Sequence, residues 1–211
     1  MFDPTQLTIF LGASLALLLV PGPAVLYIVA RSVNQGRTAG LASVMGIETA
    51  NATHVVLATL GLSALLMTSA LAFDIVKYAG AAYLVYLGIR KLLAHDEDQP
   101  VEEVKQQSLR RIYSQGVVVN LLNPKVALFF FAFLPQFVDP TRGAITGQIL
   151  ALGLMFVAMG CVTDSTYALL SSSIAGRLKG NRAFLRGQRY FAGLVYVGLG
   201  VTTALSGSKS K

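Results

Sequence analysis

The chain contains one cysteine, Cys161, in 211 residues. An internal disulfide and a two-thiol redox centre are therefore excluded, and a membrane thiol oxidoreductase with them. Cys161 itself reads as a small core residue. Charge is scarce too: Asp, Glu, Lys and Arg make up 13% of the chain, against about a quarter in soluble domains. With 54% hydrophobic residues and a mean hydropathy of +0.62, the composition is that of an integral membrane protein. The start, Met1-Phe2-Asp3-Pro4-Thr5-Gln6, lacks Lys and Arg, and the apolar run behind it continues to about Val29. A cleavable signal peptide would show a basic start and a shorter apolar core, so an uncleaved first span is expected. The net charge of +7 would suggest nucleic acid or an anionic surface in a soluble domain. Here the basic residues sit mostly in connections between apolar segments, where they orient the chain in a lipid bilayer, and no nucleic-acid partner is expected.

What is present is six apolar segments, at roughly 6–30, 39–67, 73–93, 114–137, 145–173 and 188–206. Each reaches the ~20 residues that cross ~30 Å of hydrocarbon as a helix. The expected fold is all-α, with six transmembrane helices. Asp3 before Pro4 resembles an N-cap and first helical position, and Asp139-Pro140-Thr141-Arg142-Gly143 is a turn cluster. The connection 95–112 holds Asp96-Glu97-Asp98, Glu102-Glu103 and Arg110-Arg111 and reads as a solvated loop between residues 1–94 and 113–211. Arg31, Arg37, Arg90, Lys91, Lys105, Arg110, Arg111, Arg177, Lys179, Arg182, Arg186 and Arg189 fall in the odd connections, twelve in all. Lys77, Arg142, Lys209 and Lys211, four, fall on the other side. The charged loop and the other odd connections are thus expected in the cytoplasm and both termini outside.

Three spans either side of one long loop suggest a repeat. Pro21-Gly22-Pro23 in span one has a counterpart in Asn123-Pro124-Lys125 of span four, and Tyr78-Ala79-Gly80 with Tyr83 one in Phe191-Ala192-Gly193 with Tyr196. Because three is odd, the halves would enter the membrane from opposite sides, as in many secondary transporters. A proline inside a span removes a backbone bond and clashes with the preceding turn, so spans one and four are expected to be kinked or broken. The freed backbone groups are tolerable only against protein or a polar cavity.

Two of the ten acids, Glu48 and Asp164, lie well inside apolar segments rather than at their ends. Such a carboxyl is by default a functional-site candidate. Glu48 lies eleven residues after Arg37 and Asp164 thirteen before Arg177, roughly 16 and 20 Å along a helix, which puts both near the midplane. Asn51 shares the Glu48 face and Tyr167 the Asp164 face, while Asn120 and Asn123 are one turn apart on span four. Lys125 is a counter-charge, a snorkelling residue or a structural ion-pair partner. His54, about 120° round from Glu48, reads as a packed polar residue.

These segments resemble the lysine exporter (LysE/RhtB) family of bacterial amino-acid efflux carriers. The resemblance rests on Pro21-Gly22-Pro23, on Gly80-Ala81-Ala82-Tyr83-Leu84-Val85-Tyr86-Leu87-Gly88, and on Asn120-Leu121-Leu122-Asn123-Pro124-Lys125 running on to Phe129-Phe130-Phe131-Ala132-Phe133-Leu134-Pro135-Gln136-Phe137. It implies export of amino acids or close derivatives across the bacterial inner membrane, driven by the proton gradient, with no organic cofactor. Members export basic amino acids, homoserine and threonine, or neutral aliphatic ones, so the resemblance leaves the substrate open. On this reading Pro21, Gly22, Pro23, Asn51, Asn120, Asn123 and Pro124 line the substrate site. Glu48 and Asp164 bind the substrate ammonium or carry the coupling proton. No metal site and no enzyme activity are expected, and a homo-oligomer is left open. The alternatives are an inorganic cation exporter, which wants about six oxygen ligands, and an intramembrane aspartyl enzyme, which needs two carboxyls sharing a proton. Carboxyls beyond hydrogen-bond reach would rule the enzyme out. A non-catalytic membrane scaffold is a further reading, disfavoured by mid-membrane acids and paired breaks.

Overall fold

The computed structural model describes residues 2–68 and 106–173, with further helical positions scattered between 75 and 93 and between 190 and 204. Most of the third and sixth apolar segments, the Gly80 to Gly88 motif as a whole, and most of the 95–112 connection lie outside the described residues. Among the described residues every regular element is helical.

Helix α1 runs Pro4–Leu19 and starts as its sequence requires. The Asp3 carboxylate accepts from the amides of Thr5 at 2.9 Å and Gln6 at 3.2 Å, and Pro4 fills a first-turn position where no amide is needed. It stops at Val20, which is extended (φ −74°, ψ 119°), because a residue before proline is pushed out of the helical region. Helix α2, Pro23–Thr68, contains Gly36 at φ 82° and ψ −175°, a conformation that favours glycine. There the chain doubles back. Ser32 meets Gly40 across the turn, and Ala24 and Ile28 share a core with Val44 and Ile47. Residues 23–35 thus complete the first apolar segment and residues 37–68 form the second.

Helix α3, Leu109–Leu121, begins inside the expected 95–112 connection, so Arg110 and Arg111 stand in its first turn rather than in a loop. Leu122 and Asn123 interrupt it, and helix α4, Pro124–Leu128, restarts with the Asn123 side chain capping the Lys125 amide at 3.2 Å. A π-helical turn, Phe129–Phe133, and a 3-10 turn, Leu134–Phe137, follow, where Pro135 supplies no amide for regular helix. The chain bends by 49° at the first break and 48° at the second. A last 3-10 turn, Pro140–Arg142, leads to helix α5, Ile145–Ser173, and Gln148 seals that turn by bonding both the amide and the carbonyl of Asp139 at 2.9 and 2.8 Å.

Contacts in order along the chain set the helix directions. Gly40 faces Ala168, Glu48 faces Gly160 and Val55 faces Gly153, so the second arm of α2 runs antiparallel to α5. Ser43 meets Gly116, while Asn51 and His54 meet Asn120, so the same arm runs parallel to α3. Phe10 packs on Phe129 and Phe137 while Leu17 and Val20 meet Lys125, which makes α1 antiparallel to the segment after the second break. The exposed helix faces carry Leu60 (69%), Val162 (68%) and Met45 (63%), while Glu48, Asn51, Asn120 and Asp164 are buried. Apolar residues outside and polar ones inside are what a hydrocarbon solvent demands.

The α2–α3 crossing is the tightest test of this packing. A Cβ on Gly46 would collide with the Tyr113 carbonyl, which is backbone and has nowhere to move, whereas one on Gly61 would meet nothing within 4 Å. Gly46→Ala should therefore lower the melting temperature of the detergent-solubilised protein. Gly61→Ala should hold or raise it, since alanine favours a helix interior by about 0.5–1 kcal/mol. Equal melting temperatures for the two variants would contradict the crossing.

Candidate polar site between the two breaks

The α1 break frees carbonyls that lie within the protein, and two side chains meet them. Lys125, 5% exposed, donates its Nζ to the carbonyl of Leu17 at 2.8 Å and to that of Val20 at 2.7 Å. Tyr167 donates its hydroxyl to the carbonyl of Leu19 at 2.9 Å. The pairing is favourable twice over. A hydrogen bond to a charged group contributes about 1.5–3 kcal/mol, and the C-terminal end of a helix carries partial negative charge that attracts a cation. Lys125 is placed there by its position one residue after Pro124, so the second break supplies the plug for the first.

A chain of amides runs from the same break to Glu48. Asn123 donates its Nδ2 to Asn120 Oδ1 at 3.2 Å. Asn120 donates to Asn51 Oδ1 at 2.7 Å and to the Ile47 carbonyl at 3.0 Å. Asn51 in turn donates to Glu48 Oε2 at 3.0 Å. All four residues are buried. Links from three separate helical segments hold each amide in one orientation, because each needs its carbonyl and its amine on opposite sides. His54 lies one turn beyond Asn51, stacked on Phe130 with ring centroids 5.8 Å apart, its Nε2 3.4 Å from the Asn120 carbonyl. It is a packed polar residue, as its angular offset from Glu48 suggests.

The far end of the chain of amides is an acid pair. Glu48 and Asp164 are 6% and 3% exposed and lie where α2 and α5 approach each other. Glu48 Oε1 has no hydrogen-bond partner among the described residues. Gly160, one turn before Asp164, makes the approach feasible: a Cβ there would stand 2.7 Å from Glu48 Oε1 and 3.0 Å from Oε2. Asp164 lies one turn before Tyr167, whose hydroxyl meets the Leu19 carbonyl, which ties the acid pair to the α1 break.

The structure thus gathers Glu48, Asn51, Asn120, Asn123 and Asp164 into one cluster, with Pro21 and Gly22 buried beside it. Pro23 is exposed and Pro124 half-buried. The amides at the start of α4 already have acceptors: Lys125 on the Asn123 side chain, Val126 and Ala127 on the Asn123 carbonyl. Gly160 and the carbonyls of Leu17, Leu19 and Val20 went unread in the sequence. Gly160 could have been found from its place one turn from Asp164, but nothing in a side-chain pattern marks a carbonyl. Cys161 is exposed rather than in the core. Among the described residues there is no group of three or more His, Cys, Asp or Glu arranged for a metal ion.

A family model described as LysE type translocator matches residues 15–207. A homoserine/homoserine lactone efflux protein of Salmonella typhimurium is 36% identical over 171 residues, 81% of this chain and 82% of its own length. A membrane protein of Vibrio cholerae is 31% identical over 186 residues, 88% of this chain and 90% of its own. The membrane protein YrhP of Bacillus subtilis is 28% identical over 210 residues, 95% of this chain and 99% of its own. No solved structure matches the chain. The translocator family, rather than any separation of the carboxyls, sets the two-carboxyl enzyme aside.

The amide chain makes a quantitative prediction. Asn51→Leu and Asn120→Leu should each destabilise the protein, and the double variant by less than their sum, with a coupling of about 0.6–1.7 kcal/mol as for polar pairs inside other membrane proteins. Unfolding in mixed micelles measures it. Strict additivity would show that the two amides do not depend on one another.

Proposed function

The chain belongs to the LysE type translocators, and we propose on that footing that it exports amino acids or close derivatives across the bacterial inner membrane in exchange for protons. The observation that carries this reading is a buried acid pair, Glu48 with Asp164, set between two helix breaks and wired to one of them through Asn51, Asn120 and Asn123. Glu48 and Asp164 take up and release the coupling proton. The backbone around Pro21, Gly22 and Pro23, with Asn51, Asn120, Asn123 and Pro124, lines the path of a zwitterionic substrate. The names of the Salmonella relatives point to homoserine or its lactone as the first compounds to try.

Alternating access in this reading comes from two inverted three-helix halves, residues 1–94 and 113–211, joined by a charged cytoplasmic loop. One break in each half, at Pro21 to Pro23 and at Asn123 to Pro124, supports the pairing of spans one and four. Helix direction supports the span count. The second arm of α2 and α3 run parallel, as spans two and four of two inverted three-helix halves would. An inorganic cation fits less well, since the oxygens here are two carboxyls and three side-chain amides largely bonded to one another.

Efflux of radiolabelled amino acids from cells overproducing the protein tests the reading, and wild-type rates no higher than in cells without it would reject amino-acid export. Coupling has its own test. Glu48→Gln or Asp164→Asn, whichever replaces the group that releases the proton, should stop net efflux against a gradient while leaving substrate exchange in proteoliposomes. Gradient-driven export at wild-type rate in both variants would make the acids structural. Orientation follows from the basic residues: with Cys161→Ala as background, a cysteine at Ser208 should react with an impermeant thiol reagent from outside and one at Gln99 should not. The reverse pattern would invert the protein.

A further inference from the structure

The end of α1 has the chemistry of a receptor for a primary ammonium group. Two carbonyl oxygens, of Leu17 and Val20, converge on one nitrogen at 2.8 and 2.7 Å, at the negative end of a sixteen-residue helix. Nothing is missing from it as a cation site, and it is filled by the chain's own Lys125. Ser14, on the same buried face of α1 one turn earlier, is 0% exposed and its hydroxyl has no partner among the described residues. It is an acceptor in reserve. A carboxyl stands near the same break: Asp164, buried, is one turn before Tyr167 on α5, and the Tyr167 hydroxyl meets the Leu19 carbonyl. A lysine side chain has four rotatable bonds, so movement between carbonyls and carboxylate requires no change in the backbone.

We propose that the broken end of α1 is the subsite for the α-ammonium of the transported amino acid, and that Lys125 is a built-in competitor that holds the subsite while it is empty and yields it by turning to Asp164. This rests on the amino-acid export reading and divides its labour. The carbonyls take the substrate's ammonium, and the carboxyls take the coupling proton and, in turn, Lys125. When the acid pair shares a proton, Lys125 has its better partners at Leu17 and Val20. When that proton leaves, Asp164 becomes the stronger attraction and the subsite opens. Proton release and substrate entry are thereby linked through one side chain, with Glu48 on α2 and Asp164 and Tyr167 on α5 as the titratable groups of the surrounding helices.

Two measurements test this. In purified Lys125→Ala, n-propylammonium, which replaces the deleted methylenes and ammonium, should raise the melting temperature saturably. Propyltrimethylammonium, equal in charge but without N–H donors, should not, and neither should shift the wild type. In proteoliposomes, Lys125→Ala should lower KM for the exported amino acid by about ten-fold, as expected when a competitor holding the subsite some nine-tenths of the time is removed. Its maximal rate should fall, because the link to the proton is lost. Lys125→Arg, which keeps a cation on the carbonyls, should raise KM instead and serves if the alanine variant does not fold. A merely structural lysine would give a raised or unchanged KM in both variants and no selective stabilisation by n-propylammonium, and that result would overturn the proposal. If the wild type exports no amino acid, the transport reading fails while the n-propylammonium measurement still decides whether the subsite exists.

Discussion

A backbone carbonyl released in the middle of a bilayer has no water to turn to, and much of the interior here is arranged around that fact. Pro21 and Pro23 end α1 early, leaving the carbonyls of Leu19 and Val20 without helical donors and that of Leu17 with only the Val20 amide, at 3.1 Å. The chain answers with the strongest donor available, a charged amine, and with a phenol. Taking an ammonium out of water is unfavourable by several kcal/mol, so Lys125 is tolerable only because it meets two carbonyls at a helix C-terminus. Each defect is thus the condition for the other. That reciprocity fixes α1, α4 and α5 relative to one another before any aromatic packing is counted.

Small residues then let the remaining helices come close enough for polar groups to meet. Gly46 and Gly116 bring α2 against α3, and the Asn51 to Asn120 bond follows a turn later along the same parallel crossing. Gly153 and Gly160 do the same between α2 and α5, where the space left by Gly160 is taken by the Glu48 carboxyl. Phe10, Phe129, Phe130 and Phe156 fill the volume between the breaks and one end of the bundle. The acids are positioned by helices whose spacing is set elsewhere, which is why their geometry can be precise without many bonds of their own.

Period and punctuation made a good part of this legible from residues alone. Asp3-Pro4 starts α1, Pro21-Gly22-Pro23 and Asn123-Pro124 break the spans, and Glu48, Asn51 and Asp164 share an interior, because each of these depends on local backbone chemistry or on depth. Partners across helices were less legible. The role of Lys125 was undecided between snorkelling, ion pairing and counter-charge, since its acceptors are main-chain atoms more than a hundred residues away that any sequence would supply. Cys161, expected in the core, is exposed, because in a membrane both faces of a helix are apolar and a small residue fits either. The start of α3 at Leu109, inside a stretch read as loop, has the same origin: Arg110 and Arg111 mark an interface with water, and a helix can extend past that interface.

The central cluster divides into groups that are saturated and groups that are not. Asn51, Asn120 and Asn123 each donate and accept within a closed chain, and moving any of them strands a buried amide. They are suited to holding still. Glu48 Oε1, by contrast, has no hydrogen-bond partner among the described residues, and Lys125 is held by main-chain carbonyls of another helix. A membrane carrier has to change state without melting, so its working parts are those whose bonds can be exchanged one for another at nearly constant number. Among the described residues of this interior, the acid pair and the lysine meet that condition, and the amide chain ensures that when they exchange partners the helices around them keep their register.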